Sequence, residues 1–236
     1  MTQSRGFFDR ALALDPGNLD ALLGGAMVDV ILGVHYLTDH RAEHLAAAEA
    51  TLTKVLAQTP NNAWAHYWLG AVKASTSRAA QAIAEYECAL TLDRNLAAAH
   101  AGIGGAKIFT GRAEETESYI NEALRLSPRD RNASRWMNAA GGAKVHLGAD
   151  EEAVAWLRRS IHVNPNVPWG RFFLAAALAN LGKLDEARGE AQAGLALDPG
   201  FTVRRFRDGA ESDNPVFLKQ RERLLDGMRK AGVPEG

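Results

Sequence analysis

The sequence predicts an all-α solenoid built from repeated helix-turn-helix units, and two observations carry this prediction. Short phrases of the type Leu-Asp-Pro recur along the chain and end at positions 16, 60, 94, 128, 165 and 199. The first interval is 44 residues, and the later ones are 34, 34, 37 and 34 residues. Alanine is abundant and β-branched residues are sparse, which favours helices over strands. A period near 34 residues is typical of stacked helix pairs.

The spacing inside each unit makes the prediction more specific. A small residue recurs at the eighth position of the unit, and a second small residue followed four positions later by a larger one recurs after it. In the second complete unit these are Gly70, Ala82 and Tyr86. This register resembles the tetratricopeptide repeat (TPR). The resemblance implies a right-handed TPR superhelix with a C-terminal capping helix, in which the first helices line a concave groove.

The register assigns the whole chain, 1–236, to a single TPR domain. The expected division is a partial repeat with a second helix only at 1–17, a repeat with an insertion at 18–61, repeats at 62–95, 96–130, 131–166 and 167–200, and a cap at 201–236. The start in mid-repeat predicts a fragment of a longer chain, or an open N-terminal face covered by another chain, such as a homo-oligomer partner. In the cap, the residues expected to cover the last repeat are Phe217, Leu218, Leu224, Leu225 and Met228.

Five segments resemble a narrower group of proteins. They are 92–100, 111–117, 121–130, 152–161 and the tail 212–236. They are similar to the C-terminal TPR region of bacterial signalling proteins in which a class III adenylate/guanylate cyclase domain or a winged-helix DNA-binding domain precedes the repeats. The resemblance implies a regulatory role, and it makes such an N-terminal catalytic or DNA-binding domain of the same protein a candidate partner.

Composition and charge argue against several other classes. The net charge of −1 gives no basic field for nucleic acid or a membrane surface. Asp9 and Arg10 interrupt any apolar core of a signal peptide, and no long apolar run predicts a membrane span. A lone cysteine, Cys88, fits a reducing compartment. We therefore expect a cytoplasmic protein without a cofactor.

Two motifs suggest enzyme chemistry, and both have simpler interpretations. Residues 102–107 read GIGGAK, like a phosphate-binding loop, but the Ser or Thr after the lysine is missing and no strand precedes it. His40, Glu43 and His44 spell H-x-x-E-H, a zinc-protease signature whose fold context is absent. Metal binding by these three residues is the distant alternative, and we expect no enzyme activity.

The favoured function is a scaffold that binds a partner's peptide or helix in the concave groove; a free-standing, self-associating TPR adaptor is the alternative. Tyr67 and Ala71 stand where chaperone-binding TPR proteins carry a lysine and an asparagine, so chaperone tails are disfavoured. Some of the groove aromatics could instead pack between neighbouring helices. The residues predicted to line the groove are Trp64, Tyr67, Gly105, Phe109, Arg135, Asn138, His146, Trp169 and Phe172.

Overall fold

The computed structural model of the protein describes residues 2–34, 40–209 and 212–236. Within these ranges the regular structure is helical and contains no β-strand, which confirms the predicted all-α class. One short 3₁₀ turn, Ala113–Glu115, precedes the seventh α-helix. The α-helices are α1 (Thr2–Leu14), α2 (Leu19–Val34), α3 (Arg41–Gln58), α4 (Ala63–Ala74), α5 (Ala79–Leu92), α6 (Ala97–Phe109), α7 (Thr116–Leu126), α8 (Ala133–Leu147), α9 (Asp150–Val163), α10 (Pro168–Asn180), α11 (Leu184–Leu197), α12 (Val203–Asp208) and α13 (Pro215–Lys230).

The chain forms two compact units. The N-terminal unit spans Met1–Gly102, and the C-terminal unit spans Ile103–Gly236. The boundaries of the individual repeats remain a prediction.

In the N-terminal unit, consecutive helices pack as pairs. Helix α2 contacts α3, and α4 contacts α5, while α1 lies against α2. Leu45 and Leu52 of α3 are fully buried in the core between these helices. Gly70 lies so close to the ring of Tyr86 that a Cβ atom on it would stand 2.7 Å from Cε1. The small residue at this repeat position therefore lets the bulky one of the second helix fill the interface.

The C-terminal unit repeats this arrangement. Helix α8 packs on α9, and α10 packs on α11. A Cβ atom on Gly141 would stand 2.5 Å from Cγ of Leu157, so the same small-to-large contact joins α8 to α9. Gly148 and Gly182 end α8 and α10 with φ angles of 76° and 78°, a left-handed conformation that glycine adopts without steric cost.

The last helix, α13, does not simply extend the series of pairs. It packs against α10, the first helix of the last repeat, and continues across α8. Four of the five apolar residues expected to cover the repeat are buried, but Leu218 is 40% exposed and points away from the core. A Cβ atom on Gly227 would stand 2.6 Å from the carbonyl oxygen of Ala176, so the backbones of α13 and α10 are in direct contact there.

We find no helix among the described residues that combines the length and apolar character of a membrane crossing. The longest described helix, α3, has 18 residues and carries charged side chains along its length.

Candidate partner-binding surface

An aromatic cluster on α4 lies in the predicted groove and includes an exposed tryptophan. Asn62 caps the helix by accepting a hydrogen bond from the backbone NH of Ala65. At the start of the helix, Trp64 is 47% exposed, although large aromatic side chains are usually buried. Its ring meets that of Tyr67 edge-on at 5.6 Å and stacks on that of Trp68 at 6.4 Å. The indole of Trp64 is thus held in place yet open to solvent.

Helix α2 contacts α4 and adds half-buried apolar side chains to this side of the N-terminal unit. We call the resulting area the α2–α4 surface, and it is formed by Leu23, Met27, Ile31, Trp64 and Tyr67. Tyr67 is fixed from below by Tyr86, with ring centroids 5.8 Å apart. The surface is therefore apolar and firmly supported by the core beneath it.

A charged network locks α4 to α5 beside this surface. Glu85 accepts hydrogen bonds from Lys73 at 2.6 Å and from His66 at 2.7 Å. Burial opposes ionisation of Glu85, but the bonds from Lys73 and His66 outweigh it and hold the pKa of the carboxyl group below its ordinary value. The carboxylate stays charged at neutral pH, and the helix pair has little freedom to shift.

In the C-terminal unit, one predicted groove residue belongs to the core. Phe172 is 0% exposed, and its ring stacks on that of Phe201 at a centroid distance of 3.8 Å. A Cβ atom on Gly194 of α11 would stand 2.8 Å from this ring. Phe172 therefore joins α10 to the segments after it and is not open to a partner. The prediction that it lines the groove is wrong.

Three other predicted residues of this unit lie on or near the first-helix side. Trp169 is half-buried and meets the rings of Phe201 and Phe206 at 5.5 Å each. Arg135 is exposed at the start of α8, and Asn138 lies one turn later with a side-chain oxygen that is buried. Trp169 and Asn138 thus combine limited exposure with contacts to neighbouring elements.

Helix α13 covers two further predicted residues. The ring of Phe217 lies edge-on to Phe109 at 5.5 Å and stacks on His146 at 5.5 Å with an interplanar angle of 18°. His146 is consequently only 8% exposed. Contrary to the prediction of an open groove, the side chain of His146 is buried and Phe109 is half-buried against α13.

Polar contacts hold α13 in place. Asn214 caps its N-terminus by accepting from the NH groups of Val216 and Phe217, and donates to the carbonyl of Thr110 at 3.3 Å. Further along, Arg223 forms an ion pair with Asp150, whose side chain is 4% exposed. We call the parts of α8 and α10 that α13 covers the α8–α10 surface. This part of the groove is occupied by a helix of the same chain.

Comparison with solved structures decides the fold. YrrB, described as a TPR protein with an unusual peptide-binding site, is similar at 25% identity over 75% of this chain and 91% of its own, with a TM-score of 0.52. The chain has a TPR fold. The type IV pilus biogenesis factor PilW matches at 18% identity and a TM-score of 0.64, over 87% of this chain and 88% of its own.

A third structure, PilF of Pseudomonas aeruginosa, matches at 21% identity and a TM-score of 0.62, over 87% of this chain and 86% of its own. No family model matches the sequence, and no curated protein does. Similarity at these identities establishes the TPR fold of the chain, whereas its function has to be argued from its own residues.

The TPR fold explains the glycine-rich motif GIGGAK. Its lysine, Lys107, is 6% exposed in its side chain and pairs with Glu115 at 2.9 Å. Gly104 packs tightly, because an added Cβ atom would stand 3.1 Å from the carbonyl oxygen of Thr116, whereas Gly105 has no atom within 4 Å of that position among the described residues. Gly104 thus serves helix packing, and the predicted groove residue Gly105 borders open space.

The H-x-x-E-H motif does not gather its side chains around one point. His44 bonds to Asp29 at 2.7 Å, and the same carboxylate pairs with Arg5 at 2.6 Å. His40 and Glu43 are 69% and 80% exposed in their side chains. In the described part of the chain, no three His, Cys, Asp or Glu side chains are placed to hold a metal ion. His35 and Asp39, also considered near this motif, lie outside the described residues.

Sequence reasoning missed several residues that shape these surfaces. Trp68 stacks on Trp64, and Phe206 belongs to an aromatic cluster with Trp169. The main omission is the position of α13. Its amphipathic pattern and its Asn214-Pro215 start were visible in the sequence, but these features do not specify which helices it covers.

Proposed function

We propose that this protein is a non-enzymatic interaction module that binds a partner's peptide or helix on the first-helix side of its repeats. The observation that carries the proposal is α13, an amphipathic helix lying on α8 and α10. Its residues Leu224, Leu225 and Met228 are 0% exposed there. The chain itself thus supplies an example of a helix bound to first helices.

The α2–α4 surface is the proposed site for the external partner. It carries the exposed ring of Trp64 beside Tyr67, and such aromatic residues are enriched among the side chains that dominate binding energy. Its half-buried aliphatic residues on α2 suit the apolar face of a helix. YrrB is itself described as having a peptide-binding site, which agrees with this use of the fold.

Replacing Trp64 with alanine tests the site. Partner capture from a native lysate, followed by a titration of the captured protein, should show a loss of about 2 kcal/mol, or roughly 30-fold in Kd. Leu92→Ala is the matched control, because Leu92 is 40% exposed on α5, the second helix of the same pair. Equal affinities of the two variants would place the site elsewhere.

We further propose the setting that the sequence resemblance implies, the regulatory part of a bacterial signalling protein acting in the cytoplasm. The five segments that resemble such proteins, among them 92–100 and 212–236, support this proposal. The same capture experiment checks it. Recovery of a protein with a cyclase or winged-helix domain, lost in Trp64→Ala, is the expected result, and a partner with neither domain would contradict it.

Self-association is a second candidate, and exposed apolar side chains on α1 favour it. Phe7 is 63% exposed and Leu14 is 91% exposed, while Phe8 is occupied by its contact with Gly24 of α2. Phe7→Asp should therefore lower the mass measured by light scattering from that of an oligomer to that of a monomer. A wild-type protein that is monomeric at high concentration would rule this candidate out.

A further inference from the structure

Two polar atoms on α13 or in contact with it are buried without a hydrogen-bond partner in the described structure. Nδ1 of His146, beneath the ring of Phe217, has no hydrogen-bond partner in the described structure. The side-chain oxygen of Gln220, one turn further along α13, is also buried without a partner among the described residues. Buried polar atoms are normally paired, because each unpaired one opposes folding. The contacts of the N-terminal half of α13 therefore leave two polar atoms unpaired.

Helix α13 approaches α10 closely. Where the two helices cross, Gly227 of α13 meets the backbone and Cβ atom of Ala176. The buried apolar side chains of α13 are Phe217, Leu224, Leu225 and Met228. The last three share one core cluster with Leu174 and Leu178 of α10. If α13 leaves, apolar side chains of both α13 and α10 become exposed to water, so release without a replacement is unfavourable. Exchange for another helix with the same pattern restores the buried contacts.

We propose that the α8–α10 surface is a second helix-binding site and that α13 occupies it as an internal, displaceable ligand. The partner it fits is an amphipathic helix with an aromatic residue at i, an arginine at i+6, bulky apolar residues at i+7 and i+11, and glycine at i+10. These are the places of Phe217, Arg223, Leu224, Met228 and Gly227. The glycine is required because any side chain there meets the backbone of Ala176.

Charge complementarity supports this partner. The carboxylate of Asp150 is 4% exposed and is paired with Arg223 of α13, with Asn180 donating to its other oxygen at 3.4 Å. A partner helix without a cation at i+6 would leave this buried carboxylate without its ion pair, which is a strong penalty. The site thus selects for a basic residue in register with the glycine.

A peptide of residues 212–236, carrying a fluorophore, is the probe for this exchange. Wild-type protein should bind it weakly, because the tethered α13 competes at high effective concentration. Gly227→Leu in the full chain should unseat α13 and raise the apparent affinity for the wild-type peptide at least ~10-fold. Gly189→Leu is the control, since an added Cβ atom there meets no described atom within 4 Å. A peptide carrying Gly227→Leu should not bind either protein.

Arg223→Glu is the second variant. It replaces the ion pair with Asp150 by a repulsion between two carboxylates, and so weakens the binding of α13 without a steric clash. If circular dichroism shows that Gly227→Leu does not fold, Arg223→Glu is the variant that tests the proposal. Tighter peptide binding by either folded variant supports the proposal. If neither variant binds the peptide more tightly than the wild type, or if both lose the fold, α13 is a fixed core element and the proposal is wrong. The result does not depend on Trp64, so it is independent of the function proposed for the α2–α4 surface.

Discussion

Replacing Phe172 with alanine is expected to lower the free energy of unfolding by about 3–5 kcal/mol. The side chain is 0% exposed and lies between the ring of Phe201 and the backbone of Gly194, so its removal leaves a cavity that its neighbours cannot close. Equilibrium unfolding in urea, monitored by circular dichroism, measures the change. The loss should appear as a lower midpoint with an unchanged slope.

Trp64→Ala is the matched control for this effect. It also removes a large aromatic ring, but from a side chain that is 47% exposed, so the loss of stability should be much smaller, about 1 kcal/mol or less. The two variants thus separate a core aromatic from a surface aromatic. A stability loss in Phe172→Ala as small as that in Trp64→Ala would mean that Phe172 is a surface residue of the binding groove.

Acidification is expected to destabilise the protein through His146. Burial, with a smaller contribution from the cation of Arg221, lowers the pKa of His146 from its ordinary value of 6.5 to about 4. Above pH 6.5 the ring is neutral in both folded and unfolded chains. As the pH falls from 6.5 to 4, His146 is protonated in the unfolded chain but stays neutral in the folded chain. The free energy of unfolding therefore decreases by about 3 kcal/mol.

The variant His146→Leu isolates this contribution. Other groups, above all the carboxylates, also titrate at acid pH, so the quantity to compare is the slope of unfolding free energy against pH in wild type and variant. Between pH 6.5 and 4 the variant should lose less stability than the wild type, by about 3 kcal/mol. Equal slopes would mean that His146 is accessible to protons in the folded protein.

The repeat register predicted the fold class well because it rests on local features. Small residues such as Gly70 and Gly141 recur at the same position and meet Tyr86 and Leu157 of the paired helix, so spacing alone reveals the pairing. Helix ends obey equally local rules, as at Asn62 and Gly148. Features decided within a few residues of each other are thus readable from the sequence.

The groove was predicted less well because the exposure of its residues depends on segments C-terminal to the repeats. The repeat position of Phe172 matches that of Tyr67, but Phe201 and Phe206 lie beyond the last repeat and close over the α10 aromatics. His146 likewise occupies a groove position that α13 covers from a distant part of the sequence. A repeat pattern describes the interior of an array, and it contains no information about a segment that folds back onto it.

Lys107 of the glycine-rich motif has counterparts at the matching position of two other repeats, Lys73 and Lys144, and this has a consequence for how such a chain evolves. Lys73 pairs with Glu85, Lys107 with Glu115, and Lys144 with Glu152, and each of these three pairs lies within one predicted repeat. A gene duplication or deletion of one whole repeat therefore adds or removes both members of a pair together. Ion pairs between neighbouring repeats behave differently: Lys144 also pairs with Glu117, and Arg78 pairs with Glu49, so these contacts depend on which repeat lies next to which.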